Sequence, residues 1–315
     1  MILIVGLLGY GVAVLAIGPT LFARLRFQRD APAWAVATWL SALGSALFSI
    51  GVALLLALIS IGGHWAQAGN ELVSCLAGLR DAALGRSGLG AQLVTIGATV
   101  AVLGAGVWFV ARVARSLHHM RASADEHAAA VRLVGRTLDD DVVVVDAPAP
   151  AAYCVMGRTP TIVVTSSALD VLEDDELAAV LAHERAHLVG RHALVIAVLR
   201  AVASALPKLS LLRASIQRIP TLLEMCADDV AARQHGRGPL VSGLVAMSQA
   251  HTPRPLGLAA AEVALLARAE RLTAPRSRWL AARSSAVLSG SAAVMIVVPA
   301  VVAVLATVGT LMCVP

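Results

Sequence analysis

The chain alternates between two textures. Long runs without a charged side chain occupy residues 1–23, 31–61, 87–111 and 284–315, each at or above the roughly 20 apolar residues a helix needs to cross a bilayer. Between the third and fourth runs the pattern breaks up. Residues 142–145, 152–155 and 161–165 are brief runs cut by Pro148, Pro150, Gly157 and Pro160, which predicts a small antiparallel sheet. Behind it, Leu177, Val180, Leu181 and Leu188 recur at helical spacing after Glu173-Asp174-Asp175-Glu176, acidic residues of the kind a helix N-terminus favours. The expected fold is a mainly α membrane protein with four transmembrane helices (about 1–23, 34–61, 89–111 and within 284–315) and an α+β domain, 112–283, between the third and fourth.

Residues 193–206 are apolar except for Arg200 and stop at Pro207 and Lys208. That is short for a span, so a buried or membrane-surface helix is expected, with a re-entrant hairpin as the alternative.

Composition agrees with the pattern, at 58% hydrophobic, 14% charged and a mean hydropathy of +0.79, far to the apolar side of soluble domains. The first run has no basic residue before it and no clear small-residue cleavage site, and so reads as an uncleaved span. Arginines set the expected orientation. Arg24, Arg26 and Arg29 follow the first span, Arg112, Arg115 and Arg121 follow the third, and Arg276, Arg278 and Arg283 precede the fourth, whereas loop 62–86 balances Arg80 and Arg86 against Glu71 and Asp81. Both termini are expected outside and 112–283 in the cytoplasm. The net charge of +5 is thus mostly an orientation signal, and with no basic stripe interleaved with aromatics nothing points to nucleic acid.

The residues richest in chemistry are His183-Glu184-Arg185-Ala186-His187. On a helix, HExxH projects both imidazoles from one face, a turn apart, where they can close on one Zn²⁺ with Glu184 beside it to accept a proton from water. A third ligand is expected from Glu224. Asp228, a turn further on, is placed to accept the N–H of a ligating imidazole. Arg271 is the candidate donor to a developing oxyanion; a solvated or headgroup-facing role is the alternative. His192 and His235 are expected in surface or capping roles, and His118 and His119 at the membrane interface. An edge strand beside the zinc helix could hold an extended peptide by main-chain pairing or only complete a core, and the sequence leaves both open. The four cysteines form no CxxC pair, which argues against a thiolate metal site. Cys154 and Cys226 are expected to be reduced, Cys226 in a packing role; Cys75 and Cys313, both on the outer side, are candidates for a disulfide.

Three spans, a domain with His183-Glu184-x-x-His187 and Glu224-x-x-x-Asp228, and a fourth span resemble the BlaR/MecR-type antirepressor metallopeptidases. Ala152-Tyr153-Cys154-Val155 followed by Thr161-Ile162-Val163-Val164 looks like that family's strand pair, and Asp174-Asp175-Glu176-Leu177 onward like its helix. The resemblance implies a gluzincin-type zinc endopeptidase with one zinc per chain, cutting a cytoplasmic BlaI/MecI-like transcriptional repressor, or itself, after an envelope signal. Members of that family carry a penicillin-binding sensor with a Ser-x-x-Lys site after the fourth span. Here the sequence stops at Pro315 and Lys208, its only lysine, stands three residues after Ala205, so a short form is expected, sensing through the outer loop, the spans or a separate sensor protein. A membrane quality-control or processing protease resembling the HtpX and CAAX-processing group is the second reading, and a non-catalytic membrane scaffold a third.

Overall fold

The computed structural model describes residues 2–24, 26–63, 89–249, 258–274 and 277–312. Four of its helices are long and apolar enough to cross a membrane: α1 (Ile2–Arg24), α2 (Pro32–Gly63), α3 (Leu89–Val134) and α10 (Arg278–Met312). Helix α2 lies against both α1 and α10. Small residues allow the approach, since Ala35, Ala42, Ala46 and Ala53 are fully buried and a Cβ on Gly11 would meet Ile50 at 2.7 Å. The first half of α3 stands apart, with Leu93, Val100, Leu103 and Val107 all exposed. Exposure of apolar side chains around a helix is what lipid, and not water, accommodates. The proposed outer loop and the Cys75–Cys313 pairing lie outside the described residues.

Helix α3 continues unbroken beyond Ala111 for more than twenty further residues, so the expected domain boundary falls inside one helix. Ala128 and Val131, in that continuation, pack on Val143, Val155 and Val163 of the sheet. The sheet has four strands, β1 (Arg136–Asp139), β2 (Val142–Val145), β3 (Ala152–Val155) and β4 (Thr161–Thr165), in the order β1-β2-β4-β3. The expectation of an antiparallel sheet is corrected here: β1–β2 and β3–β4 are antiparallel, but β2 and β4 run parallel. The cause is β3, which leaves the centre to its neighbours and takes an edge. Strand β1, Arg-Thr-Leu-Asp and exposed throughout, carries no alternation that a sequence could reveal.

On the other face of the sheet, Val142, Ile162 and Val164 pack against Leu177, Leu181 and Leu188 of α5 (Asp174–Val189), with the short α4 (Ser166–Val171) entered through the Thr165 cap. Helix α5 starts at a reciprocal capping box between Glu173 and Glu176 and carries three acids in its first turn, together satisfying N–H groups that a helix start would leave unpaired. It ends at Gly190. Arg191 adopts a left-handed φ of 50°, and α6 (His192–Ala205) leaves at 49° to α5.

Helix α6 is the ambiguous apolar segment. At 14 residues it is too short to cross a bilayer alone. It instead buries Leu199, Ala201 and Ala205, and Arg112 Nε donates to the Ser204 carbonyl at 2.7 Å. The chain turns back into α7 (Ser210–His235), followed by α8 (Arg237–Gln249) and α9 (Leu258–Thr273). The first half of α7 belongs to the bundle: Leu211, Ile219 and Leu222 join Phe22, Trp39 and Ala42 in one core, held by close packing. Ser210 Oγ donates to the Leu15 carbonyl at 2.6 Å, and Arg218 Nε to Gln28 Oε1 at 3.4 Å. Its second half carries Glu224 and Asp228. One helix therefore joins the apolar bundle to the candidate site.

Candidate active site

Helices α5 and α7 cross so that His183, His187 and Glu224 face one another. The two Nε2 atoms are 3.1 Å apart, and Glu224 lies 3.4 Å from each through separate oxygens. Three donors held about 2.0–2.1 Å from a tetrahedral zinc ion would sit about 3.3 Å apart. The two nitrogens and the carboxylate group, each nitrogen nearest a different oxygen, come close to that spacing. Two imidazole nitrogens in contact also need a proton or a cation between them, because their lone pairs otherwise repel. The donor set of two nitrogens and one carboxylate is that of a hydrolytic zinc site, so the residues fit the metal.

Each imidazole has a partner behind it. His183 Nδ1 is 3.2 Å from Asp228 Oδ1, within charge range but out of line for a well-formed hydrogen bond; a small ring rotation would align it. His187 Nδ1 contacts His192 Nδ1 at 2.8 Å. With Nε2 given to a metal, His187 carries its proton on Nδ1 and donates it to His192, while the Nδ1 proton of His183 faces the Asp228 carboxylate. His192 was expected at the surface or in a cap and is instead buried. Gly190 makes room for it, since a Cβ there would come within 2.5 Å of His192 Nε2.

Burial pushes the Glu184 carboxyl up to about 7, the Glu224 charge adding to the effect and His183 opposing it. Burial, with the Glu184 charge beside it, pushes the thiol of Cys154 on β3 up to about 12. Cys154 is thus an inert neighbour of the base. Burial alone would lower the His183 pKa, but the Asp228 and Glu224 carboxylates raise it to about 9, whereas burial lowers His187 to about 4. Asp228 is fully buried; burial would raise its pKa, but the Arg268 guanidinium and then His183 hold it near 2.

Arg268, on α9, is the side chain sequence reasoning passed over. Its Nε and Nη2 grip Asp228 at 2.9 and 2.6 Å, Nη1 lies 3.2 Å from Glu224, and Nη2 reaches to 3.4 Å from His183 Nε2. Arg271, the sequence candidate for the oxyanion, is corrected by the structure. It points away from the cleft to Asp229 at 2.8 Å and to the carbonyls of Arg29 and Met225. The two arginines are three residues apart, and nothing in the sequence of α9 tells which of them meets Asp228 and which Asp229. His192 was hidden for another reason: it lies past the end of α5, and only the left-handed Arg191 brings it back to His187.

Around these residues lies a cleft of about 410 Å³ lined by Ala152, Tyr153 and Cys154 on one side and by Leu240, Leu244 and Met247 of α8 on another. Strand β3 is an edge strand with no partner on its outer side among the described residues.

The model of Peptidase family M48 matches residues 117–234, a stretch holding His183, Glu184, His187, Glu224 and Asp228 but ending before Arg268. No curated protein and no solved structure matches the chain. The match supports a membrane-type zinc metallopeptidase and does not single out the BlaR/MecR antirepressors. Residues 117–234 are accordingly similar to a family of metalloproteases, in a chain whose described residues include four helices apolar enough to cross a membrane.

Proposed function

We propose that the protein is a membrane-embedded zinc endopeptidase with its cleft on the cytoplasmic face, holding one Zn²⁺ through His183, His187 and Glu224. The observation that carries this reading is the convergence of His183 Nε2, His187 Nε2 and the Glu224 carboxylate, with 3.1 Å between the nitrogens and 3.4 Å from each to one of the two carboxylate oxygens, beside the half-buried Glu184. When bound, the metal supplies a Lewis acid that polarises the scissile carbonyl and acidifies water. Glu184 takes the proton from the attacking water and passes it to the leaving amine. Asp228 and His192 hold the ligating rings in place. Arg268 keeps Asp228 ionised and is the cationic donor nearest the reacting carbonyl, in the role first given to Arg271. The free edge of β3 holds substrate backbone in extended form.

Two physiological roles fit. The order of three spans, domain and fourth span supports a signal-transducing antirepressor that cuts a cytoplasmic transcriptional repressor or itself. The match to Peptidase family M48 is equally compatible with an HtpX/CAAX-processing-like quality-control or processing protease. Comparing new N-termini in cells carrying the wild type and Glu184→Gln separates them. A repressor left uncut in the mutant supports the first; accumulation of damaged membrane proteins with repressors unchanged supports the second. No difference in any cleavage product would overturn both.

A further inference from the structure

A second space adjoins the cleft of the candidate metal site. It is a groove of about 880 Å³, and Tyr153 and Cys154 line both. The groove follows the unpaired edge of β3 and the loop after it, with α3 on one side and the α5–α6 corner on the other. Tyr153 to Val155 of the strand and Met156 to Arg158 of the loop after it line the groove in succession, so a peptide laid along the strand edge continues past the loop.

Its lining is chemically uneven. Met120, Leu188 and Leu194 give half-buried apolar walls, and the exposed Arg121, Arg158 and Arg191 surround them. None of these guanidiniums forms an ion pair among the described residues, unlike Arg185, which holds two aspartates. The one carboxylate in the lining, Asp125, already accepts from the backbone N–H of Arg158 at 2.6 Å. Helix α5 ends at this groove and α6 begins there, so their terminal partial charges, each about half a unit, oppose one another. The field left over is positive. The opposite end of α5, by contrast, carries Asp174, Asp175 and Glu176.

We propose that this groove is an extended substrate subsite, which selects polypeptide segments bearing aspartate or glutamate a few residues to one side of the cleaved bond. The proposal rests on the endopeptidase reading and deepens it by naming a substrate class: the peptide pairs with β3, and its acidic side chains meet Arg121, Arg158 and Arg191. Adjacency to the candidate active site through Tyr153 and Cys154 and the surplus of unpaired positive charge together favour an acidic peptide as occupant.

The test uses the zinc-loaded full chain in detergent and fluorescence-quenched peptides identical except for two aspartates or two lysines placed three to five positions from the bond, on either side. At the ~0.2–1 kcal/mol of each exposed ion pair, the aspartate series should be cleaved with a kcat/KM about 3- to 10-fold higher, on one side of the bond only. The doubly charge-reversed Arg121→Glu/Arg158→Glu protein should invert that preference with its zinc content unchanged. Binding of the aspartate peptide to Glu184→Gln, followed by fluorescence anisotropy, should weaken with salt and with the same reversal. This arm decides the groove even if no peptide is cleaved, an outcome that would instead count against the endopeptidase reading. A preference indifferent to charge reversal overturns the proposal. So does a reversal that abolishes binding to phosphatidylglycerol vesicles while leaving the peptide's binding intact, which would assign the arginines to lipid headgroups.

Discussion

Helix α9 sends two arginines, one turn apart, to two successive aspartates of α7, and the pairs have opposite uses. Arg271 meets Asp229 and completes its guanidinium with the carbonyls of Arg29 and Met225, so one guanidinium charge faces one carboxylate. That pair fastens α9 and α7 to the connection between α1 and α2. Arg268 meets Asp228 in a setting where one guanidinium faces more than one carboxylate. Glu184, Glu224 and Asp228 surround one guanidinium and two imidazoles, and protons close the charge, with His183 raised to about 9 and Glu184 to about 7. With the histidines neutral as ligands and the carboxylates ionised, about two negative charges are left over, which a divalent cation would cancel. Two pairs of the same chemistry thus differ in what they leave over, and the remainder marks the functional one.

The largest expected effect comes from removing charge at the unbalanced pair without removing a ligand. Glu184→Gln should lower kcat by about 10²- to 10⁴-fold, the usual worth of a general base, while zinc content stays near one per chain. Burial raises the Glu184 pKa to about 7 in the absence of metal; a cation beside it favours the carboxylate and draws the value down. The acid limb of kcat/KM should therefore fall at or below pH 7, with activity rising as pH rises through it. Loss of zinc from Glu184→Gln would move Glu184 from base to ligand.

The arginines test the comparison directly. Removing one partner of a buried pair leaves a charge without compensation, at a cost of about 3–5 kcal/mol, so both Arg268→Ala and Arg271→Ala should unfold at lower temperature. Only Arg268→Ala should also lower kcat per folded, zinc-loaded protein, by about 10²-fold if it donates to the oxyanion. Equal kinetic losses in the two variants, measured by active fraction and turnover, would dissolve the distinction.

His192 should show a smaller effect. As the acceptor for His187 Nδ1 it orients a ligand, and such partners are worth about 10- to 100-fold in metal affinity. His192→Ala should weaken zinc binding by about that factor in chelator competition, and Asn, which can still accept, should restore part of it. Wild-type affinity in His192→Ala would leave it a packing residue.

What the sequence discloses follows from the range of the interactions involved. His183, Glu184 and His187 lie within two turns of one helix, and helical geometry alone brings them together; Glu224 and Asp228 share a second helix, so one crossing suffices to place both. The four apolar runs are legible because their length and lack of charge are local properties. Arg268 reaches Asp228 only through the path of α8 and α9, and the choice between Arg268 and Arg271 is a matter of helix rotation set by packing. The parallel pairing of β2 with β4 is equally non-local: it depends on β3 moving to the edge, and strands of four or five residues carry no pattern that fixes their order.

The smallest expected effect lies on the far flank of the HExxH motif, where solvent does what a bound cation would do in the cleft. Arg185, between Glu184 and Ala186, holds Asp141 through two bonds of 2.9 and 2.8 Å and Asp139 through one of 2.9 Å. Here too acids outnumber the arginine, yet the side chains of Arg185 and Asp141 are 41% and 34% exposed, and water screens the excess. The hydrogen bond from Arg185 lowers the Asp141 pKa below 3.8, against the opposing effect of burial. A folded-state value below the unfolded one gives stability that is present above about pH 4 and lost as pH falls through the lower value. Asp141→Asn should therefore cost about 0.2–1 kcal/mol at neutral pH, as exposed pairs do, and the difference from wild type should vanish in strong acid. Turnover and zinc affinity should not change. A loss of several kcal/mol, or of zinc, from this substitution would mean that surplus negative charge is as consequential on the surface as in the cleft, and would remove the basis for telling the two Arg–Asp pairs of α9 apart.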